Sequence, residues 1–356
     1  MPNPVTIPTG SLHLTLYEDR EGFVALRREW NGLVMRSRFP SVFLTWEWQT
    51  TWWDCLGTGA LRLLAWRRPD GELVGIAPLF DTGAMPRHHW QVVGCTEVAD
   101  YLDIIIAAGH EADVYGGFLS YLQSDQARPW DVITLCNLHE SSLSYRLLAD
   151  MAREAGLEVV VEQEDVAPYL VLPSSFEAYL QSLDKKQRHE LRRKRHRLER
   201  EAGSWRWFTI ATMDGLERWV ERFITLHRLA SADKRAFMTP AMAHFFHRLA
   251  QTMAQAGWLA LAFIEIEGEP TATFFNFAFH DRIWVYNSGF DPSRHAHLSP
   301  GIVLNSYLIE DAIARGYRVF DFLQGNEVYK YRFGAVDAAV MKTTIRRRFV
   351  NIRTHT

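Results

Sequence analysis

Apolar and polar positions alternate along the first half of the chain in short stretches that predict strands and helices in turn. Residues 12–16 alternate strictly, as a half-buried strand does. Residues 19–36 carry an apolar stripe at helical spacing, and Asp19 is placed to cap that helix. Further strands are expected at 61–67, 73–79, 90–94, 101–107, 132–136 and 157–162, and further helices at 112–123 and 142–155. Interleaved strands and helices predict an α/β or α+β domain.

The second half begins with helical patterns and then changes to strands. Three strand-like runs at 259–267, 271–280 and 282–288 are separated only by short turns, which predicts an antiparallel meander. The helices are expected at 176–183, 185–200, 215–230, 241–256 and 301–315, with later strands at 317–323 and 340–348. This order predicts an α+β fold with a partly antiparallel sheet and excludes a doubly wound nucleotide-binding fold.

Length and charge divide the chain into two halves. Its 356 residues suffice for two domains. Residues 1–170 hold 12 arginines and no lysine against 23 acidic residues, whereas the remainder holds 27 basic against 19 acidic residues. We therefore predict two domains, 1–165 and 166–356, and expect an anionic ligand on the second.

The cysteine residues and the lengths of the apolar segments indicate the cellular compartment of the protein. Cys55, Cys95 and Cys136 are 40 and 41 residues apart, which matches no metal-ligand spacing and leaves an odd thiol. This pattern excludes a disulfide scaffold and favours a reducing compartment. No apolar run is long enough to span a bilayer, and the first residues lack the pattern of a signal peptide. The prediction is a soluble, cytoplasmic protein.

Motifs of several enzyme classes are missing from the sequence. We find no HExxH, CxxC, Walker A, GxSxG or GxGxxG pattern. Metalloprotease, NTPase, serine hydrolase and dinucleotide-dependent dehydrogenase activities therefore have no support, and no metal site is expected.

The loop before the helix at 301–315 has the composition of an anion site. Ser299 can cap the helix, Pro300 suits its first position, and Gly301 lets a ligand approach the backbone. Unpaired N–H groups at such a helix start attract pyrophosphate, and the preceding loop adds three basic side chains. A well-capped helix without a ligand explains the spacing alone more simply.

A strand end followed by a short helix gathers proton-transfer groups. Asp321 ends the strand, and Glu327, Tyr329 and Tyr331 follow it; Glu327 and Tyr331 share a helix face. These four are candidate catalytic residues, a base for an amine nucleophile and an acid for a leaving thiolate. A solvated loop with packed tyrosines, in which Asp321 pairs with Lys330 or Arg332, is equally consistent with the residues.

The helix expected at 185–200 is strongly cationic. It holds nine lysines and arginines against two acidic residues, and only Leu191 and Leu198 can pack on other elements. A solvated face, or a contribution to binding a phosphorylated cofactor, is favoured. Nucleic-acid binding is the alternative, although no aromatic residue is present for base stacking.

Two segments of the first half combine aromatic and acidic residues. Trp48 and Trp52 fall on one helix face and are expected in the core, while Trp46 is a candidate for a substrate groove. Asp100 and Asp103 flank an apolar stretch and are functional candidates if buried, although acids at strand ends are usually solvated.

Together these motifs resemble the GNAT-superfamily acetyltransferases that are associated with cellulose biosynthesis and carry a BioF2-like acetyltransferase domain. Those proteins are relatives of the Fem-type peptidoglycan aminoacyltransferases. The Trp-Glu-Trp of 46–48 and the Asp-Tyr-Leu-Asp of 100–103 are similar to segments in the first half of such proteins. The more specific segments are 185–200, 288–292, 298–301 and 321–334.

The resemblance implies two tandem GNAT-like lobes with mixed central sheets flanked by helices. The lobe of 1–165 would be degenerate and lie on the acceptor side, and that of 166–356 would keep the donor site. The residues implied to bind acyl-CoA are His297, Leu298, Ser299, Pro300, Gly301, Ile302 and Ser288. Those implied to contact the acceptor are Trp46, Asp100, Tyr286 and Lys330.

The implied activity is acyl-CoA-dependent N-acyl transfer, with acetyl or a longer acyl group, to an amine-bearing small molecule, sugar or peptide in polysaccharide or cell-envelope metabolism. The amine would attack the thioester directly, with Glu327 or Asp321 as base and Tyr331 or Tyr329 protonating the thiolate. One alternative is a Fem-type transferase that uses aminoacyl-tRNA, bound through 185–200. Another is a non-catalytic member that binds a glycan or a polymerase partner.

Overall fold

A computed structural model of the chain describes residues 5–9, 11–83, 87–95 and 98–347. Contacts between Cα atoms divide the chain into two units. The first comprises residues up to Asp165 together with those from Ala339 onward, and the second comprises Val166–Ala338. The sequence analysis placed a boundary at the same point but assigned everything beyond it to one domain. In the structure the last strand returns to the first unit, because it pairs there with an earlier strand.

The first unit is built on a mixed sheet in which most neighbours are antiparallel. The order is β1-β2-β3-β4-β5-β7-β14, with β5 and β7 parallel and the short β6 beside β4. The strands are β1 Val5–Thr9, β2 Leu12–Tyr17, β3 Ala60–Arg67, β4 Leu73–Asp81, β5 His89–Val92, β6 Ile105–Ile106, β7 Val132–His139 and β14 Val336–Arg346. The helices are α1 Glu21–Arg36, α2 Trp46–Leu56, α3 Glu111–Gln123 and α4 Leu147–Glu154.

Most of the predicted elements of this unit are confirmed. The β3–β4 hairpin turns at Gly71, whose φ of 90° is one that glycine adopts freely. Trp48 and Trp52 are buried, as their shared helix face predicted. The strand predicted at 101–107 is wrong over most of its length, because Tyr101 has a left-handed φ of 48° that interrupts extended backbone.

Cys95 and Cys136 form a disulfide, with Cα atoms 5.9 Å apart, and Cys55 is a free thiol. The sequence predicts an odd thiol and no disulfide scaffold, and the pairing of Cys95 with Cys136 is a finding of the structure. Sequence separation did not reveal the pairing, because Cys95 follows β5 and Cys136 lies on β7, two strands that are neighbours in the sheet.

The strands of the second unit follow the order β8-β13-β12-β11-β10-β9, and β8 begins before the boundary at Val166. Strands β12 and β13 are parallel, and the other neighbours are antiparallel, so the predicted meander of β10, β11 and β12 is confirmed. The strands are β8 Glu158–Val171, β9 Trp205–Ile210, β10 Leu259–Ile266, β11 Glu269–Phe279, β12 Arg282–Phe290 and β13 Val319–Asp321. The helices are α5 Phe176–Ser182, α6 Lys185–Glu201, α7 Leu216–Ala230, α8 Ala232–Phe237, α9 Pro240–Gln255, α10 Pro300–Ala314 and α11 Val328–Arg332.

Hydrophobic packing fixes the helices on this sheet. Leu191 and Leu198 of the cationic helix α6 are buried in the same apolar cluster as Val303 and Leu304 of α10. The narrow apolar seam predicted for α6 is therefore confirmed. The mixed α+β architecture predicted from the order of elements is confirmed as well. No helix in the described ranges is long and apolar enough to cross a membrane.

Candidate active site

Strands β12 and β13 separate shortly after they meet. They are paired only from Arg282 to Trp284 on β12, whereas β12 continues to Phe290. On its other side β12 stays paired with β11, with a bulge that leaves Tyr286 as the extra residue. Over its last residues β12 has no described strand on the side of β13.

Helix α10 starts close behind this strand, with backbone donors facing open space. Pro300 is its first residue, and the first helical N–H with an acceptor is that of Val303, which donates to the carbonyl of Ser299. The N–H groups of Gly301 and Ile302 precede it and have no partner within the helix. A methyl group added to Gly301 would find no atom of the described residues within 4 Å.

The predicted cap at Ser299 is wrong. Its backbone is left-handed, with φ and ψ both 52°, and its side chain accepts no bond from the helix. A capping serine needs extended backbone, so this conformation turns the hydroxyl away. Lys194 of α6 donates to that hydroxyl at 2.7 Å instead.

The other predicted donor-binding residues differ in exposure. Leu298 and Pro300 are buried, so they can shape the loop but present little surface to a ligand. His297 is exposed, and its carbonyl accepts a bond from Arg197 at 3.3 Å. Backbone N–H groups at Gly301 and Ile302 are therefore the polar groups that this segment offers.

Helix α6 adds positive charge beside the start of α10. In addition to Lys194 and Arg197, Arg195 pairs with Glu310 at 2.6 Å and lies 4.0 Å from the ring centre of Tyr307. Elsewhere on α6, basic side chains surround a groove that also reaches α11. The residues lining that groove are Lys186, Gln187, His189, Glu190, Arg193 and Arg332. Both surfaces are electrostatically suited to phosphate groups.

Asp321 is held in a buried ion pair. One carboxylate oxygen accepts a bond from Arg282 at 3.1 Å, and the other accepts the N–H of Leu323 at 3.0 Å. Only 2% of the Asp321 side chain is exposed. The partner that the sequence suggested, Lys330 or Arg332, is wrong, because the parallel pairing of β12 and β13 brings Arg282 alongside.

Lys330, a predicted acceptor-binding residue, organises the loop that follows β13. Its amine donates to the carbonyls of Leu323, Gln324 and Gly325 at 3.0, 2.7 and 2.9 Å, and it is 2.9 Å from a carboxylate oxygen of Glu327. The Lys330 side chain is 3% exposed, whereas that of Glu327 is 58% exposed. Lys330 thus holds the loop together, and Glu327 faces solvent.

The two candidate tyrosines lie in different environments. Tyr329 packs edge-on against Phe322, and burial raises the pKa of its hydroxyl well above the usual value. Tyr331 is exposed, and its hydroxyl donates to Asp337 at 2.8 Å. Tyr331 is therefore the more accessible acid of the two.

Tyr286 and Ser288, predicted from the resemblance, are both on the free part of β12. The ring of Tyr286 packs against Phe246 and Phe277, with ring centres 5.8 and 5.2 Å away. The Ser288 hydroxyl accepts a bond from Lys234 at 3.2 Å.

Trp46 and Asp100 belong to the first unit. The indole of Trp46 donates to the carbonyl of Phe23 at 2.8 Å and lies under the guanidinium of Arg27. Asp100 precedes the left-handed Tyr101. The carboxylate nearby that the structure buries is that of Asp103. Burial raises its pKa to about 6, although hydrogen bonds from Ser142 and Ser144 favour the charged form and lower it.

Two ionisable residues next to Ser288 were missed in the sequence. Lys234 on α8 is largely buried, which lowers the pKa of its amine to about 8, although the charge of Glu327 opposes that shift. His227 on α7 is 1% exposed, and burial followed by the positive charge of Lys234 lowers its pKa to about 4. No pattern marks either residue, because their proximity to β12 depends on the packing of α7 and α8. Across the described ranges, no three His, Cys, Asp or Glu side chains form a metal-binding group.

The sequence and fold of the chain were compared with those of known proteins. Residues 185–331 match the model of the acetyltransferase (GNAT) domain family. No curated protein matches the chain with significant sequence similarity. The fold is similar to the crystal structure of FemX, at 10% identity and a TM-score of 0.66 over 89% of this chain and 95% of that one.

Two further solved structures share the fold over nearly the whole chain. One is L-PGS from Bacillus licheniformis, at 10% identity and a TM-score of 0.54, covering 93% of each chain. The other is a tandem GNAT protein from the clavulanic acid biosynthesis pathway, at 11% identity and a TM-score of 0.51, covering 94% of this chain and 99% of that one. The predicted fold of two tandem GNAT-like lobes is thus confirmed. Residues 185–331 therefore match an acetyltransferase (GNAT) domain, and the chain as a whole shares the two-lobed fold of these structures.

Proposed function

We propose that the protein is an N-acyltransferase that transfers an acyl group from acyl-CoA to an amine. The observation that carries the proposal is the start of α10 in a matched GNAT domain, where the N–H groups of Gly301 and Ile302 have no helical acceptor and a Cβ added to Gly301 would meet no atom within 4 Å. The pyrophosphate of the donor would bind these donors, with Lys194 supplying positive charge nearby. The thioester would extend along the free edge of β12, whose backbone N–H groups can stabilise an oxyanion.

The acceptor is proposed to be an amine on a small molecule, sugar or peptide, with polysaccharide or cell-envelope metabolism as its setting. It would attack the thioester directly, so that positioning and proton transfer are what the protein supplies. Tyr331 is the favoured acid for the departing thiolate, because its hydroxyl is accessible. For the base, Glu327 and Asp321 are the candidates from the sequence. Acetyl and longer acyl groups fit this scheme equally well.

The donor site is tested by calorimetric titration with acetyl-CoA and longer acyl-CoAs. We expect micromolar binding to the unaltered protein and at least tenfold weaker binding to Gly301→Leu, because the new side chain fills the space in front of the helix. The melting temperature should be unchanged, since that side chain meets no protein atom. Gly32→Leu, on the exposed face of α1, is a matched control that should bind normally. Failure of every acyl-CoA to bind, or normal binding to Gly301→Leu, would contradict the proposal.

The acid and base are tested by Tyr331→Phe and Glu327→Gln, each assayed for turnover of acyl-CoA with an acceptor obtained from an amine screen. We expect Tyr331→Phe to slow turnover by about 100-fold, the usual contribution of a general acid. Unchanged turnover in both variants would refute these assignments.

A second candidate donor is aminoacyl-tRNA, which the groove on α6 favours. Lys186, Arg193 and Arg332 line one concave surface, and their positive charges suit a nucleic-acid backbone. We expect a Fem-type activity to show RNA binding that weakens steeply with salt, and Lys186→Glu with Arg193→Glu to abolish it. Acyl-CoA binding without salt-dependent RNA binding would rule this donor out.

A further inference from the structure

Lys234 carries a partly buried amine with an unusual set of partners. Its Nζ donates to the main-chain carbonyl of Ser288 at 2.5 Å and to the Ser288 hydroxyl at 3.2 Å. Within the described ranges it forms no ion pair, whereas Lys330 and Lys342 each pair with a glutamate. An ammonium withdrawn from water without a counter-ion is costly, and such groups concentrate at functional sites.

The position of Lys234 is set by close packing between β12 and α7. Ser288 lies four residues beyond Trp284, the last β12 residue paired with β13. The next residue, Gly289, lies directly on the backbone of α7: an added Cβ would be 2.4 Å from the amide nitrogen of His227. Lys234 therefore borders the free part of β12, along which the thioester is proposed to extend.

The charged and titratable neighbours of Lys234 come from two elements. On α7 these are His227 and Arg228, and before α11 it is Glu327. With its lowered pKa of about 4, His227 is neutral near pH 8 and does not repel the ammonium. The guanidinium of Arg228 donates to the carbonyl of Met238. Burial is then the main reason that the pKa of Lys234 falls to about 8, a value at which the neutral amine is well populated near physiological pH.

We propose that Lys234, rather than either carboxylate, accepts the proton of the acceptor amine during acyl transfer. The inference deepens the proposed function and rests on it. Asp321 is committed to Arg282, and Glu327 pairs with Lys330, so protonation of either would break an ion pair. The neutral amine of Lys234 has no such pair to lose.

The step balances without any further reactant. The nitrogen of the acceptor amine forms a bond to the thioester carbon and passes one proton to Nζ of Lys234. The carbon–sulfur bond then breaks, and its electron pair leaves on the thiolate, which Tyr331 protonates. Before the next turnover the Lys234 ammonium releases its proton to solvent, and the Tyr331 phenolate takes one up from solvent.

The first test needs no acceptor. Trace acetylation of the intact protein with acetic anhydride across pH 6–11, followed by mass spectrometry, measures the neutral fraction of each of its six lysines. Lys234 should titrate near pH 8, and Lys342, whose pKa its glutamate partners raise, should titrate above the usual range near 10.4. Saturating acetyl-CoA should slow labelling of Lys234 at least fivefold and leave Lys342 unaffected.

The outcomes separate the two proposals. If acetyl-CoA binds but leaves labelling of Lys234 unchanged, or if Lys234 titrates with the surface lysines, the role of Lys234 is refuted. If Lys234 titrates near pH 8 but no acyl-CoA binds, the proposed function is what fails, and the role of Lys234 falls with it.

Variants supply the second test. Lys234→Arg keeps the positive charge but cannot accept a proton near neutral pH, so turnover should fall by about 100-fold. Lys342→Arg, which alters a lysine paired with Glu162 outside the proposed site, should leave turnover unchanged. In the unaltered enzyme kcat/KM should rise with pH up to about 8, and this rise should disappear in Lys234→Arg. Equal turnover in the two variants, or an unchanged pH profile, would argue for a carboxylate base.

Discussion

Replacing Asp321 with alanine is expected to lower the free energy of unfolding by about 3–5 kcal/mol, the cost of removing one partner of a buried ion pair. Arg282 would keep its charge in a site where 18% of its side chain is exposed. The N–H of Leu323, a residue with a left-handed φ of 58°, would also lose its acceptor. Urea denaturation followed by circular dichroism measures the change.

Asp281 provides the matched control for that experiment. Its carboxylate is 3.8 Å from Arg282, but its side chain is 32% exposed, so Asp281→Ala should cost less than about 1 kcal/mol. The double variant Arg282→Met with Asp321→Leu should regain much of the loss, because no unpaired charge remains buried. Wild-type stability of Asp321→Ala together with lost turnover would instead indicate a catalytic carboxylate.

Gly289→Ala is expected to cost about 3 kcal/mol, at the upper end of the range for overpacked cores. The new methyl group would lie 2.4 Å from the amide nitrogen of His227 and 2.6 Å from the carbonyl carbon of Leu226. These are backbone atoms of a helix. The steric clash can therefore be relieved only if the whole of α7 shifts, because the rotation of one side chain would not move them. Thermal unfolding measured by calorimetry would show a lower melting temperature.

Gly301→Ala is the matched control, because its methyl group meets no protein atom. Alanine also favours helix over glycine by up to about 1 kcal/mol, so this variant should be as stable as the original or slightly more stable. If the Gly289→Ala protein has the same melting temperature as the unaltered protein, α7 tolerates displacement at this point.

The periodic pattern of apolar residues predicted the helices and strands of this fold better than it predicted the positions where they are interrupted. Alternating apolar and polar residues predicted the meander of β10, β11 and β12. Apolar residues at helical spacing predicted the amphipathic helices. The strand expected at 101–107 shortens to β6, and the backbone of Tyr101 is left-handed. A tyrosine in the sequence gives no indication of that conformation. The short helix α8 was not predicted, because its exposed residues give no apolar stripe.

The sequence indicated which segments carry the candidate site residues, which stay a prediction, but it did not indicate the partners of each side chain. Whether Lys330 turns toward a ligand or toward its own loop depends on where three carbonyls lie, which the sequence does not contain. Lys234 was overlooked for a related reason: 54 residues separate it from Ser288, and only tertiary packing joins them.

The return of β14 to the first unit has a consequence for synthesis on the ribosome. Its pairing with β7 joins positions about 200 residues apart, so β7 lacks this neighbouring strand until the chain is almost finished. Nearly all of the second unit lies between those two strands in sequence and can complete its core earlier. During that interval the open edge of β7 is exposed to pairing with other chains, a risk that a chaperone would reduce.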